Sequence, residues 1–423
     1  MDEWKKMTSH DPTAVGEQTP PGLPRAFTFV LATSAAEGFG DMLACTLLPI
    51  LAVSVLGLGT GFVGLLNSIG LAAFLLLGMP VGMLIDRLRN RRRGMGVATV
   101  ARCLVLAGLT SSYYAGWLSG ATVIGATVVI GLADVAFTTA QGTVIPSVVQ
   151  TERLKSAYSR LAVVNQTAST AAAATGSLAL GFLGMPGMMW ASVCSYAESA
   201  LLQRGIKIDS SLATRGPARR GIGRFRDGFQ ALHRIPALWA LTLSAALTNA
   251  GAMLGNTVLP VFLLRDLGIA PAAFAGLGVV SAIGAIIGAA FAPRLSARFG
   301  LKTLRSAAAI LSVPAVAMAI ACQQLPGHEL IWLSAQSLAW SFLVSISAVA
   351  GAEVLPRSVP SEELATVGSA QRTIALGIMP IAALLGGAVA VLTGPVPLLC
   401  VWALLAGAAA LPIVRAHSLK TYR

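Results

Sequence analysis

Charged side chains are scarce in this sequence. Of its 423 residues only 11% are Asp, Glu, Lys or Arg, whereas 55% are hydrophobic and a further 44 are glycine. Soluble domains carry about 25% charged residues and a much smaller apolar share. The composition therefore excludes an ordinary water-soluble fold. Because a helical span takes about 20 apolar residues, the sequence predicts an all-α polytopic membrane protein with roughly a dozen spans.

Catalytic and nucleotide-binding motifs are also missing. The sequence contains no G-x-x-x-x-G-K-[ST] loop, so we do not expect ATP to drive the protein directly, and it contains neither H-E-x-x-H nor G-x-S-x-G. Its five cysteines are scattered without paired spacing, which predicts neither a disulfide framework nor a metal site. We predict no enzymatic activity and no cofactor; an intramembrane enzyme is the distant alternative.

The apolar runs form two sets of six, separated by a polar break. We predict spans near 27–56, 61–84, 95–117, 119–146, 157–183 and 185–203, then near 236–264, 270–292, 306–324, 329–355, 366–392 and 395–414. The predicted organisation is a disordered tail over 1–25, bundles over 26–203 and 236–415, a linker over 204–235 and a tail over 416–423. In the linker, GIGRFRDGFQALHRI (221–235) predicts an amphipathic basic helix on the membrane surface.

The excess of basic residues has a topological explanation. The chain has 30 Lys and Arg against 17 Asp and Glu, a net charge of +13. With both termini on the same side of the membrane, 26 of the 30 basic residues fall in segments on that side, and only Arg265 falls in a loop on the other. Basic loops favour the cytoplasm. We therefore predict a cell-membrane protein with both termini cytoplasmic, and no nucleic-acid partner.

An internal repeat relates the two sets of spans. Five residues recur at an offset of 211 positions: Met42, Leu43, Thr46, Leu48 and Pro49 return as Met253, Leu254, Thr257, Leu259 and Pro260. Because each repeat holds an even number of spans, the two bundles should be parallel, related by an axis along the membrane normal. Transporters built in this way place the substrate site between the halves, near the midplane.

The loop after the second predicted span carries a family motif. In GMLIDRLRNRRR (82–93), the positions resembling the major facilitator motif G-x-x-x-D-R-x-x-R-R are Gly82, Asp86, Arg87, Arg91 and Arg92. Such an Asp–Arg cluster can latch one closed state through charge-assisted bonds. The second-half copy over 294–302 keeps Arg298, Gly300 and Lys302 but has Ala297 where the acid would stand.

Within that superfamily the chain resembles the macrolide-efflux and enterobactin-exporter types. The resembling stretches are EGFGDMLACTLLPILAV (37–53), VIPSVVQTERLKSAYSRL (144–161) and FRDGFQALHRIPAL (225–238). The resemblance implies a monomer in the lipid bilayer that exports an amphiphilic drug or natural product by proton antiport. A transporter of a defined solute, such as a siderophore, sugar or amino acid, is the alternative.

Three acidic residues lie inside predicted spans, where a charge is costly and usually functional. Glu37 and Asp41 share one helix face at i and i+4, and Asp134 lies in the fourth span. Their second-half counterparts are Thr248, Ala252 and Ser345, all uncharged. For Asp41 we favour proton coupling or cation binding over a structural hydrogen bond; for Glu37 and Asp134 both interpretations stay open.

Arg102, inside the third span, needs a partner there, and Asp134 or an acid of the first span could supply it. A structural ion pair and a ligand contact are both compatible with this position. Five amide side chains are further candidates for lining the cavity, with interhelical hydrogen bonding as the alternative for each: Asn165, Gln166, Asn249, Asn256 and Gln336.

Overall fold

The computed structural model describes residues 24–72, 91–150, 154–206, 222–324, 327–360 and 363–421, and regular structure in these ranges is helical. The first half holds α1 (Arg25–Ile50), α2 (Thr60–Ala72), α3 (Arg91–Tyr114), α4 (Gly120–Val144) and α5 (Leu154–Leu202). After α6 (Ile222–Arg234), the second half holds α7 (Pro236–Val261), α8 (Pro271–Phe299), α9 (Leu301–Ala321), α10 (Glu329–Gly351), α11 (Val354–Ser358), α12 (Leu364–Thr393), α13 (Pro395–Ala408) and α14 (Ala410–Arg415).

Helix α5 supplies two of the predicted spans. It is 49 residues long and is broken at Gly184, whose φ of 67° is a left-handed conformation that glycine adopts without strain. We call residues 154–183 the first arm and 185–202 the second arm. Among the described residues, ten helical segments are long and apolar enough to cross a membrane, with α5 counted once and α2 described only to Ala72. The twelve-span, all-α prediction is confirmed.

Two predicted boundaries were wrong at the turn between α8 and α9. We expected the spans to end at 292 and restart at 306, but α8 continues to Phe299 and α9 begins at Leu301. The hydropathy signal stops at Arg294, whereas the helix itself continues through basic residues at the membrane surface. It ends at Gly300, whose φ of 76° breaks the helical path.

The repeat is reproduced in the details of the backbone. Each first helix of a half contains a proline and ends in a π-helical turn, over Leu51–Val55 after α1 and over Phe262–Asp266 after α7. A glycine with φ of 65° follows at Gly57 and at Gly268. All these pairs differ by 211 positions, so the two halves are copies of one helical scaffold.

The halves meet near the ends of α1 and α7. A Cβ placed on Gly64 of α2 would lie only 2.6 Å from the Ala383 oxygen of α12. The Ser177 hydroxyl of the first α5 arm donates to the Ala272 oxygen of α8 at 3.1 Å, and Asn67 donates to the Asn256 oxygen at 3.4 Å. We call this set of contacts the seal. It lies at the end of the bundle opposite α6, and we call the α6 end the linker end.

Helix α6 packs on the second half with the apolar face that the sequence indicates. Leu232 is fully buried, and Gly228 lies against Thr366 of α12 so closely that a Cβ would come within 2.8 Å of the Thr366 oxygen. The linker helix is therefore attached to the beginning of α12, because protein covers the side that carries Leu232.

Candidate functional site

The intramembrane charges predicted from the sequence come together around one guanidinium group. Arg102 of α3 places Nη1 2.5 Å from Glu37 Oε2 and 2.9 Å from Asp41 Oδ1, and Nη2 3.0 Å from Asp134 Oδ1. Both partners considered for Arg102, the acid of α4 and the acids of α1, therefore contact it at once. We call these four residues the charge cluster.

Helical spacing and aromatic packing hold the arginine in place. Glu37 and Asp41 are one turn apart on α1, so both carboxylates face the same stretch of α3. The Arg102 side chain is completely buried, and its Cζ lies 5.6 Å from the ring centroids of both Phe137 and Tyr196. Aromatic faces attract a cation, so these rings stabilise a charge that the bilayer disfavours.

Glu37 is enclosed by hydroxyl groups. Thr99 donates to its Oε1 at 2.5 Å and Ser199 donates to the same atom at 2.6 Å, while its side chain is only 3% exposed. Gln203, on the turn after the second α5 arm, donates to Thr99 Oγ1 at 2.7 Å. With Arg102 on Oε2, both oxygens of this carboxylate accept hydrogen bonds from protein donors.

Asp41 and Asp134 have a different environment. Their side chains are 35% and 45% exposed, although each accepts a hydrogen bond from Arg102 on Oδ1. The Tyr196 hydroxyl also donates to Asp41 Oδ1, at 2.6 Å. These two carboxylates are therefore bonded to Arg102 through Oδ1, and part of the surface of each is not covered by the described protein.

The cluster has more negative than positive charge. When ionised, three carboxylates face one guanidinium, which leaves a formal charge of −2. Arg102 Nε is buried and has no hydrogen-bond partner among the described residues. The arginine therefore has a donor that the present arrangement does not use, since a guanidinium group offers five N–H bonds.

Sequence reasoning missed four residues around the cluster: Thr99, Tyr196, Ser199 and Gln203. A signal for them exists in the repeat, because their counterparts at the 211-residue offset are all apolar or glycine, namely Ile310, Gly407, Ala410 and Val414. The comparison that singles out the acids would have found these positions as well, had it been applied to neutral polar residues.

The amide candidates divide into two groups. Asn249 donates to the Ala375 oxygen of α12 at 2.8 Å, and Gln336 is 4% exposed with its Oε1 facing the Ser337 hydroxyl, so both serve packing within the second half. For these two residues the contacts favour the alternative of interhelical or local hydrogen bonding, because polar groups inside a bundle are satisfied by protein partners. Asn256 is exposed, and Asn165 is half-buried with an Oδ1 that has no hydrogen-bond partner among the described residues, so these two remain candidates. The side chain of Gln166 lies outside the part of the chain that the structure describes.

Part of the predicted latch can be placed. Gly82, Asp86 and Arg87 lie outside the described residues, and Arg91 begins α3. Arg92 Nη1 donates to the carbonyl oxygens of Arg204 and Ile206, both at 3.1 Å. These bonds join the start of α3 to the end of α5 within the first half, so Arg92 stabilises that half at the linker end. A latch between the halves stays a prediction.

Several solved transporter structures share this architecture. The nucleoside transporter NupG aligns with a TM-score of 0.67 and 14% identity, covering 95% of this chain and 100% of that one. A bacterial homologue of the iron transporter ferroportin, in an inward-facing state, aligns with a TM-score of 0.73 and 14% identity, covering 93% and 99%. A bacterial homologue of the human lysosomal transporter Spinster gives 0.61 and 16%, covering 94% and 97%. At these identities the likeness shows the fold alone.

The sequence comparisons identify the family. No curated protein sequence matches the chain. The profile of the Major Facilitator Superfamily, however, matches residues 30–383, which include the whole charge cluster and both sides of the seal. The chain therefore belongs to the Major Facilitator Superfamily and is a multi-pass membrane transporter of that family.

Proposed function

We propose that this transporter exports an amphiphilic drug or natural product from the cytoplasm in exchange for protons, by alternating access of a site between the two halves. The observation that carries the proposal is the charge cluster: three acids around Arg102, two of them half-exposed, inside spans of the first half. Ionisable groups at this depth are expensive to retain without a role in moving ions or substrate.

The three acids have different roles in this mechanism. Glu37 is the fixed counter-ion of Arg102, because both its oxygens are bonded and its side chain is almost fully buried. Once Glu37 has neutralised the arginine, Asp41 and Asp134 carry the remaining negative charge. Because both are partly exposed, they can accept a proton or a cationic group of the cargo without disrupting the buried side of the cluster.

The polarity of the second half supports an amphiphilic cargo. The counterparts of the four cluster residues there are Thr248, Ala252, Val313 and Ser345, none of them charged. Asn249 already donates to a backbone oxygen of its own half. Sugars need many convergent polar groups, whereas a lipophilic molecule needs apolar walls and a few anchoring charges. The cluster would provide those charges.

The position of the seal is compatible with cargo entry from the cytoplasm. The seal closes the end opposite α6, and Asp41 and Asp134 lie on spans α1 and α4 between the seal and the linker end. The basic loops predict that the linker end faces the cytoplasm. Cargo would then enter at the linker end, and reversal of the seal would release it on the opposite side.

The test is transport in proteoliposomes with an imposed pH gradient, using a lipophilic cation, a neutral lipophile and a sugar. For the wild type we expect gradient-driven movement of the lipophiles but not of the sugar. Asp41→Asn should reduce gradient-driven transport at least tenfold, the range in which loss of a proton-transferring group falls. Glu37→Gln is the matched control. It should keep its response to the gradient, because one of the two remaining acids then neutralises Arg102 and the other stays free to bind a proton.

Three results would contradict parts of this proposal. Asp41→Asn with normal expression and intact proton-driven transport would remove Asp41 from the coupling mechanism. Wild-type transport that ignores the gradient would remove antiport. Movement of the sugar while neither lipophile moves would replace drug export with transport of a defined solute.

A further inference from the structure

The second copy of the loop motif lacks the acid that would neutralise its basic residues. Ala297 stands 211 positions after Asp86, while Arg298 and Lys302 are present at the turn between α8 and α9. Arg298 is exposed, with its Cζ 5.4 Å from the centre of the Phe299 ring. Lys302 is half-buried and donates to the carbonyl oxygen of Val414. Two positive charges are thus held at one turn.

An open pocket lies between this turn and the last described residues of the chain. Its volume is about 730 Å³, and none of the described residues that line it is acidic. Arg298, Lys302, Thr303 and Ser306 supply polar atoms on one side. Apolar lining comes from Ile310 along α9, and from Leu419, which is fully buried.

The pocket joins the membrane surface to the lipid-facing side of the protein. It lies at the end of α8, a membrane span, where Gly300 turns the chain into α9, the next span. Phe299 is 51% exposed and Ile310 is 56% exposed. Large apolar side chains exposed beside a spanning helix face acyl chains, whereas the basic residues at its end lie at the depth of lipid headgroups.

We propose that this pocket binds an anionic phospholipid from the leaflet at the linker end. The phosphate would lie between Arg298 and Lys302, with the Thr303 hydroxyl as a further donor, and one acyl chain would run along Ile310. The first turn of α9 has no side-chain cap, so its backbone N–H groups add to the same field. A lipid with a choline headgroup would place its cation beside Arg298, and free phosphate would leave the apolar side unfilled.

The site is independent of the transported cargo, because it belongs to the second half alone and lies outside the charge cluster. In this proposal the second-half copy of the loop motif, which lacks the acid, binds a lipid. In the first half the acid Asp86 stands among the arginines of the motif, whereas the second-half copy offers its basic residues to a lipid phosphate. The pocket would couple the lipid composition of one leaflet to the turn between α8 and α9.

The experiment titrates the delipidated full-length transporter in detergent with phosphatidylglycerol or phosphatidylcholine and counts bound lipids by native mass spectrometry. The charge variant is Arg298→Gln with Lys302→Gln. Its matched control, Arg160→Gln with Arg204→Gln, removes the same two charges from exposed positions of the first half. Ala307→Trp fills the pocket without changing charge. A phosphatidylglycerol with a photoreactive acyl chain locates the site by cross-linking.

We expect the tightest phosphatidylglycerol site to weaken about thirtyfold in the charge variant, the effect of removing two basic residues at a lipid surface. It should also weaken in Ala307→Trp, because the indole takes the space of the acyl chain, and it should stay unchanged in the control pair. Cross-links should map to residues 299–310, and excess inorganic phosphate should not displace the lipid. The proposal is overturned by unchanged binding in the charge variant, by equal losses in the control pair, by equal affinity for phosphatidylcholine, or by displacement with phosphate.

Discussion

The same helical scaffold is built twice in this transporter, once around charges and once without them. In the first half Arg102 packs against the Tyr196 ring and contacts three acids. At the equivalent place in the second half Val313 takes the position of Arg102 and Gly407 that of Tyr196, and a Cβ on Gly407 would come within 2.7 Å of Val313. A valine beside a glycine thus fills the space that an arginine and a tyrosine occupy in the other copy.

This difference shows that the fold does not need the charge cluster. The second half forms the same helices, the same π-helical turn and the same glycine turn with neutral residues at all four cluster positions. The cluster is therefore an addition to a scaffold that packs without it. We infer that its residues are retained for transport. Once present, the acids and the arginine must neutralise one another.

The largest effect should come from breaking the cluster at its centre. Arg102→Val installs the second-half residue but leaves Glu37 buried without its cation, and removing one partner of a buried ion pair costs about 3–5 kcal/mol. We expect a large fall in the thermal stability of the purified protein, measured by unfolding in detergent, together with loss of transport.

The comparison between the halves supplies the control. A variant that combines Glu37→Thr, Asp41→Ala, Arg102→Val and Asp134→Ser gives the first half the complete second-half set. It should recover part of the lost stability, because no acid is then left buried without its cation. Recovery should be incomplete, because the replacing side chains are smaller and Tyr196 is kept. Its transport should no longer follow the pH gradient. A quadruple variant as unstable as the single one would show that the cluster is part of the fold after all.

An intermediate effect is expected at the seal, where the halves touch. Gly64→Ala places a Cβ 2.6 Å from the Ala383 oxygen and 2.8 Å from the Gly387 Cα, so α2 and α12 must separate. Overpacking of this kind costs about 1–3 kcal/mol. Only the state in which the seal is closed is destabilised, so the open state becomes more populated. With Thr60→Cys as reporter in a cysteine-free background, labelling by an impermeant maleimide from the seal side should accelerate about tenfold.

Gly142→Ala is the matched glycine control, because a Cβ there meets no atom of the described residues within 4 Å. It should leave the labelling rate unchanged. If Gly64→Ala labels no faster than this control, the close approach of α2 and α12 does not restrain opening.

The smallest effect is expected where a charge pair lies at the surface of the second half. Glu353 and Arg357 pair at 2.6 Å, but their side chains are 69% and 57% exposed. Exposed pairs one helical turn apart contribute only about 0.3–0.5 kcal/mol. Glu353→Gln should therefore lower the unfolding temperature by no more than about 1–2 °C, in the same assay as Arg102→Val. A fall in unfolding temperature as large as that of Arg102→Val would contradict the view that burial decides how much these charges contribute to stability.

Much of the fold and the centre of the site could be predicted from the sequence. Apolar runs and the 211-residue offset gave twelve spans in two related sets, and the rarity of charge inside those runs singled out Glu37, Asp41, Arg102 and Asp134. Burial could not be read in the same way. Glu37 and Asp41 lie one turn apart on the same helix, yet one is 3% exposed and the other 35%. That difference depends on Thr99 and Ser199, which come from other helices.

The sequence could not decide between the two roles of the amides for a related reason. A polar residue in a span either faces the cavity or bonds to a neighbouring helix, and periodicity does not distinguish the two. Asn249 finds the Ala375 oxygen 126 positions later in the chain. Contacts at such separations depend on how the helices pack, which one sequence alone does not specify.

Acids and arginine differ in how well they tolerate the membrane without a partner, and this difference constrains the order in which the cluster residues were gained or lost. An intramembrane acid without a partner can stay neutral by binding a proton, whereas an arginine remains charged at every physiological pH. Along a stepwise route between the two kinds of half, an arginine without acids is the least tolerable intermediate. If the first half gained its charges, the acids preceded Arg102; if the second half lost them, the arginine was lost before the acids. The arginine is thus the last residue of the cluster to be gained on the first route and the first to be lost on the second.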